Sequence, residues 1–210
     1  MDKFEVWEER LYPSLVDNID YIIKNTPHNG VFYDIGANTG LLSKKVYEQR
    51  PDIHYVLFEP VKEYYERACY TFKNVEKAIC INAALIEENK EIEISIDSNN
   101  LGWNTLSFVS NYGRKEKVFG ITLYDAYVDN KLPLPDMIKI DAEESESYVI
   151  EGAKELFNLG LPKNILIEVG VNKTHPLWER EFNMIEYLFS LGYKRFDNDY
   201  NTVFDAKFEL

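Results

Sequence analysis

Apolar positions along the chain alternate between two periods: short continuous runs bounded by Gly, Pro and Asn or Asp, and longer stretches whose apolar residues recur every three or four positions. "PSLVDNIDYIIKNTP" places Leu15, Ile19, Ile22 and Ile23 at helical spacing, with Pro13 near its start and Pro27 beyond its end. It reads as the helix of an N-terminal extension over residues 1–29. "GVFYDIG" is then a short buried strand, and "LLSKKVYEQRP" the helix that follows it. "HYVLFEP" is a second strand, stopped by Pro60, and "VKEYYERACYTFKN" a helix with Tyr65, Ala68, Cys69 and Phe72 on one face. "KAICINAAL" is a third strand and "DMIKIDAE" a fourth. "SYVIEGAKELFNLG" is a helix closed by Gly160, "NILIEVG" a fifth strand, and "LWEREFNMIEYLFSLG" a helix closed by Gly192. "YKRFD" and "NTVFDAKF" form a closing antiparallel hairpin.

Strands separated by helical patterns of ~10–15 residues imply right-handed βαβ units and a largely parallel sheet. The expectation is one α/β domain over residues 1–210, a doubly wound, mostly parallel, Rossmann-like sheet of about seven strands. Residues 86–124 depart from that rhythm. There "EIEISID" and "KVFGITLYD" alternate like half-exposed strands around the polar loop "SNNLGWNTLSFVSNYGRK", a β insertion after the third strand. Long loops in compact domains tend to be functional, and Trp103 with Asn104 in this one are candidate substrate contacts.

At 210 residues the chain can bury a substantial core, and 45% hydrophobic with 28% charged residues is ordinary for a globular protein. No apolar run approaches the ~20 residues that span a bilayer. The acidic start "MDKFEVWEERLYPS" lacks the basic flank and apolar stretch of a signal peptide, so a cytoplasmic location without membrane contact is expected. Cys69 and Cys80 form no C-x-x-C and have no His nearby, and read as small buried apolar residues. A net charge of −13 argues against a nucleic-acid partner, because phosphate neutralisation needs clustered Lys and Arg. "NYGRKEKVF" comes nearest, and Glu116 interrupts it. A small or uncharged partner fits better, and the sequence leaves a homo-oligomer open.

Candidate chemistry begins at "VFYDIGANTGLLSKKV", a strand, a glycine turn and a helix. The turn holds neither the G-x-G-x-x-G of dinucleotide sites nor the G-x-x-x-x-G-K-[ST] of a P-loop. It does have Asp34 at the strand end, Gly36 and Gly40 framing the turn, and Glu59 at the end of the next strand. Glu59 lies 19 residues beyond Gly40, where an acid can accept hydrogen bonds from both ribose hydroxyls. A ligand with a ribose, no phosphate and an ammonium group satisfies this set, and S-adenosylmethionine is such a ligand.

"DIGANTG", "FEP", "NAAL" and "IKIDAEESESYVIEGA" together resemble, in order and spacing, the FkbM-family methyltransferases, over roughly residues 31–170. The resemblance implies a class I methyltransferase fold and S-adenosylmethionine as cofactor. It implies Asp34, Gly36, Ala37, Asn38 and Gly40 around the methionine end, Glu59 with Pro60 at the ribose, Asn82 and Ala83 near the adenine, and Asp141 beside the transfer site. It also implies a hydroxyl acceptor on a sugar, glycan or small metabolite. The family pattern D-x-E-G-x-E has Glu144 at its glycine in this chain. That substitution keeps a non-catalytic ligand- or partner-binding domain as the alternative, while the incomplete glycine fingerprint disfavours an NAD-dependent oxidoreductase.

A hydroxyl acceptor needs a base within reach, or a metal that lowers its pKa. Glu143, Glu168 and His175 are the candidate bases, and Asp141 with Glu143 or Glu168 could instead hold Mg²⁺. Glu144 and Glu146 read as acids favoured at a helix N-terminus. His28 and His54 read as surface connectors, and Tyr64, Tyr65 and Trp178 as packing.

Overall fold

The computed structural model describes residues 3–97, 101–102, 104–106, 113–170, 174–195 and 206–210. It opens on helix α1 (Lys3–Asn25), followed by β1 (Val31–Ile35), α2 (Leu41–Tyr47), β2 (His54–Phe58) and α3 (Lys62–Phe72). Next come β3 (Ala78–Ile81), β4 (Ala84–Leu85), β5 (Lys90–Ile96), β6 (Asn104–Leu106) and β7 (Arg114–Ile121). Helix α4 (Leu123–Asp129), β8 (Met137–Ile140), α5 (Glu146–Leu159), β9 (Asn164–Ile167), α6 (Trp178–Ser190), β10 (Lys194–Arg195) and β11 (Ala206–Glu209) complete the chain.

Seven strands form the main sheet in the order β10-β11-β9-β8-β1-β2-β3. The inner pairs are parallel, and β11 runs antiparallel to both β9 and β10, as the closing hairpin requires. Every residue of β1, β8 and β9 is buried, because helices cover both faces and successive side chains point to opposite ones. On one face Phe32, Tyr55 and Leu57 meet Ile19 and Ile22 of α1, Val46 of α2 and Phe72 of α3. On the other, Tyr33, Ile138 and Ile165 meet Ala126 of α4, Leu156 of α5 and Leu188 of α6.

β4, β7, β5 and β6 make a second sheet, joined through β4 to the end of the third strand segment. Its apolar side forms a third cluster with Phe4 of α1, Tyr64 of α3 and Tyr148 of α5, against which Trp7 and Leu177 pack.

Four expectations need correction. α1 extends well before Pro13, which lies inside it. Proline deprives the helix of one N–H donor, but Phe4 is buried against Tyr64 (ring centroids 5.7 Å apart), and this anchors the earlier turns. "KAICINAAL" is not one strand: it breaks at Asn82–Ala83 and enters the second sheet as β4. The break is held by the Asn82 side-chain amide, which donates to the carbonyls of Glu59 (2.8 Å) and Pro60 (2.9 Å). The tail of "KVFGITLYD" is helical, because Thr122 caps α4 by accepting from the Asp125 amide (3.0 Å) and Leu123 and Ala126 bury one face. Cys69 and Cys80 are free but half-buried rather than buried.

Gly160 ends α5 in extended backbone, whereas Gly192 beyond α6 takes the left-handed conformation (φ 98°). Among the described residues, no helix is long and apolar enough to cross a membrane.

Candidate active site

The sheet order reverses between β1 and β8, so the crevice at their carboxyl ends is where a wound sheet takes its ligand. A cleft of about 170 Å³ opens there. Leaving β1, the amides of Gly36 and Ala37 both donate to the Phe58 carbonyl (3.0 and 2.9 Å), folding the chain tightly over the end of β2. Gly36 has φ 74°, and a Cβ on it would overlap the Asp141 carbonyl oxygen. Only glycine allows the β1 and β8 ends to approach so closely.

Glu59 ties the turn to the neighbouring loop. Its Oε2 accepts from the Asn38 amide and its Oε1 from the Val61 amide, each at 2.8 Å. Burial pushes its carboxyl up to about 7, against the pull of those amides and of Lys139. Each oxygen keeps a lone pair for a further donor on the cleft side. Two more acceptor-capable atoms on the cleft wall, Thr39 Oγ1 and Asn104 Oδ1, are buried without a hydrogen-bond partner among the described residues. Buried polar atoms rarely stay unpaired, so this set suits a polyhydroxyl, nitrogen-rich ligand such as a nucleoside.

Beneath the glycine turn, the Lys139 ammonium of β8 stands 3.3 Å from Asp34 Oδ1 and 3.3 Å from Asp141 Oδ2. It also donates to the Gly36 carbonyl (3.0 Å). Asp34 is 1% exposed, and its other oxygen accepts from the Ser43 hydroxyl at 2.6 Å. The Asp34 carboxylate therefore faces inward to α2 and Lys139, not onto the cleft wall where the ammonium partner was expected. Its role here is to hold the β1 end to β8 through Lys139.

After β8 the backbone takes two consecutive left-handed residues, Glu143 (φ 50°) and Glu144 (φ 70°). Such conformations cost ~1–2 kcal/mol for residues other than glycine, so the surroundings must over-determine them. Glu146 helps by accepting from the Ala142 amide (2.7 Å), and Glu144 Oε1 lies 3.5 Å from His175 Nε2. The turn presents Glu143 to the cleft beside Asp141. Burial foremost, then the Asp141 charge, pushes the Glu143 carboxyl up to about 9. Glu146 sits in the first turn of α5, as its reading as a helix N-terminal acid expects, but it is only 5% exposed, and burial pushes it up to about 8.

The cleft brings together Gly36, Ala37, Asn38, Glu59, Pro60 and Ala83, with Asn104, Asp141 and Glu143. Gly40 caps α2 behind the turn (φ 79°), and Asn82 braces the β2 end from outside the cleft. Glu168 and His175 are not on the cleft wall: Glu168 is half-buried with its amide bonded to the Ile140 carbonyl (2.9 Å), and His175 faces Glu144. Among the described residues no three His, Cys, Asp or Glu side chains are grouped to hold a metal ion, which gives no support to the Mg²⁺ considered at Asp141 with Glu143 or Glu168. Trp103 lies outside the described residues.

Three features escaped the sequence reading. Lys139 had a signal, a cation inside the otherwise apolar, buried run "MIKI". Thr39 lies in the glycine turn, and nothing in its sequence setting marked it. Trp7, Leu11 and Leu15 of α1 line the cleft, and their spacing of four was visible before Pro13 drew the helix boundary too late.

A family model described as the methyltransferase FkbM domain matches residues 34–195. No curated protein matches the chain in sequence. Among solved structures, a putative caffeoyl-CoA O-methyltransferase from Staphylococcus aureus is similar at 14% identity and TM-score 0.56, covering 100% of this chain and 93% of that one. A putative rRNA-methylase from Clostridium thermocellum is similar at 13% identity and TM-score 0.55, over 93% and 94% of the two chains. Aeropyrum pernix fibrillarin, solved with natively bound S-adenosyl-L-methionine, has 9% identity and TM-score 0.52, over 89% and 68%. At these identities the likeness is one of fold.

Proposed function

Because the chain belongs to the FkbM methyltransferase family, we propose that it transfers a methyl group from S-adenosylmethionine to a hydroxyl of a small-molecule or carbohydrate acceptor, with Glu143 receiving the hydroxyl proton. The observation that carries this reading is one cleft holding both a nucleoside-type cradle and a half-buried carboxyl. The cradle consists of the glycine turn, Glu59 and Ala83, with Thr39 Oγ1, which has no hydrogen-bond partner among the described residues. The carboxyl is Glu143, across the turn beside Asp141. The fibrillarin relative, solved with S-adenosylmethionine, adds support for the cofactor.

When bound, the cofactor supplies a methyl group on a sulfonium sulfur, which keeps the electron pair of the broken bond while the acceptor oxygen forms the new one. Glu59 would accept from ribose hydroxyls, and Thr39 and Asn104 would take further polar contacts. Lys139 holds the β1 and β8 ends together through Asp34 and Asp141, so the turn and the carboxyl keep their spacing. With its carboxyl pushed up to about 9 by burial and the Asp141 charge, against the pull of Lys139, Glu143 is protonated at neutral pH before a ligand brings further positive charge. Positive charge in the cleft favours the ionised form of Glu143 and so readies it to take a proton. Asp141 is half-exposed and ion-paired with Lys139, which suits it to orienting a ligand rather than to proton transfer.

The test is turnover of S-adenosylmethionine with a panel of hydroxyl compounds, followed as S-adenosylhomocysteine released. Glu143→Gln should lower turnover ~10²–10⁴-fold with nucleoside binding retained. Wild-type turnover by that variant would remove Glu143 from the reaction, and failure of the whole panel with the nucleoside bound would favour the non-catalytic binding reading.

A further inference from the structure

The cleft is asymmetric. Its charged residues, Glu59, Lys139, Asp141 and Glu143, all belong to the carboxyl ends of β2 and β8 or the turn beyond. The lining from α1 and the second sheet carries no charge and is mostly apolar, built from Trp7, Leu11 and Leu15 of α1 and from Ile94 and Leu106 of the second sheet, with Asn18 and Asn104 as its polar members. Trp7, Leu11 and Leu15 recur every four residues, so they form one stripe along the helix. Each is only half-buried, although Phe4, Ile19 and Ile22 on the same helix are buried. The helix is therefore seated firmly on the body of the protein and still leaves an apolar stripe facing the cavity. Its seating is reinforced by Glu8, which accepts from the Arg67 side chain at 3.0 Å. The α1 part of this wall precedes residues 34–195, the part of the chain that the family model matches.

We propose that the α1 wall takes the body of the acceptor, and that the acceptor carries its hydroxyl on an apolar, ring-containing framework rather than on a free sugar. The proposal rests on the methyltransferase reading and narrows it. A polyol turned toward Leu11, Leu15, Ile94 and Leu106 would leave its hydroxyls dehydrated without replacement hydrogen bonds. An aromatic ring has no such penalty there and can pack against the Trp7 indole. The proton chemistry points the same way. A phenolic hydroxyl ionises near ~10, close to the Glu143 carboxyl at about 9, and a matched donor and acceptor exchange a proton efficiently. An aliphatic sugar hydroxyl is far less acidic and gains much less from that carboxyl.

Calorimetric titration of the full chain, saturated with S-adenosylhomocysteine, tests this with two probes, naphthol and methyl glucoside. Naphthol should bind saturably and the glucoside should not. Leu11→Asn should weaken naphthol roughly tenfold or more while leaving the nucleoside affinity within about twofold. Trp7→Ala serves the same purpose should the first variant fail to fold. Glucoside binding as tight as naphthol, no saturable naphthol binding, or naphthol affinity unchanged in a folded variant would each overturn the proposal. The same titrations without nucleoside separate the two readings. A chain that ignores S-adenosylhomocysteine yet binds naphthol in a Leu11-dependent way would refute the cofactor assignment and leave the α1 wall standing.

Discussion

Replacing Lys139 by Met removes a buried cation while keeping most of its aliphatic volume. In the wild type, the ammonium lies between Asp34, 1% exposed, and Asp141, whose side chain is 37% exposed. Asp141 can turn to solvent when the cation is lost, but Asp34 cannot, and the Ser43 hydroxyl alone remains to it as a named donor. Breaking a buried pair from one side costs ~3–5 kcal/mol, because the remaining charge is uncompensated. For a domain of this length each kcal/mol moves Tm by ~2–4 °C, so Lys139→Met should melt ~6–20 °C lower. The Asp34→Asn/Lys139→Met double variant removes both charges and keeps the shape. It should regain at least ~2 kcal/mol over Lys139→Met alone. Guanidinium unfolding of the four proteins in the cycle reads this directly. A Lys139→Met variant within ~1 kcal/mol of wild type, or a double variant no more stable than that single, would refute the role given to the Asp34–Lys139–Asp141 bridge.

Gly36→Ala should destabilise by ~2–5 kcal/mol, summing the left-handed backbone cost and the overlap with the Asp141 carbonyl; a denaturant midpoint like the wild type's would show that the approach is looser than described. Glu59→Ala should weaken S-adenosylhomocysteine by ~1–3 kcal/mol in calorimetry, as acceptor bonds to ribose and the brace on the Asn38 amide are lost together. Stability should fall as pH rises from about 4.5 towards about 8: the folded chain keeps a proton on Glu146 that the unfolded chain releases, so the unfolded state binds fewer protons across that window. Glu146→Gln should reduce that slope, to which Glu59 and Glu143 contribute with the same sign, in unfolding measured between pH ~5 and ~8, and an unchanged slope would take Glu146 out of it.

A wound, mostly parallel sheet of about seven strands was legible in the sequence because mostly apolar runs such as "VFYDI" and "NILI" leave little choice of period. The meeting of Gly36 and Glu59 in one cleft was legible for a related reason: both sit at strand ends, which a wound sheet gathers at one crevice. Long-range partnership was not legible. Asp34 and Glu168 both end strands, yet Asp34 turns inward because Lys139 and Ser43 meet it there, and Glu168 stays off the cleft wall. The break at Asn82 was equally hidden, since "KAICINAAL" reads as one apolar strand until Asn82 finds the carbonyls of Glu59 and Pro60. The second sheet and α1 meet over the cleft through contacts between residues far apart in sequence, and no local pattern announces such a wall.

Calorimetric titration of the wild-type chain with S-adenosylhomocysteine and, separately, with NAD tests the central claim most directly. The cleft described here should bind the sulfur nucleoside saturably at one site and give no saturable heat with NAD. Saturable NAD binding without a response to S-adenosylhomocysteine would contradict the account.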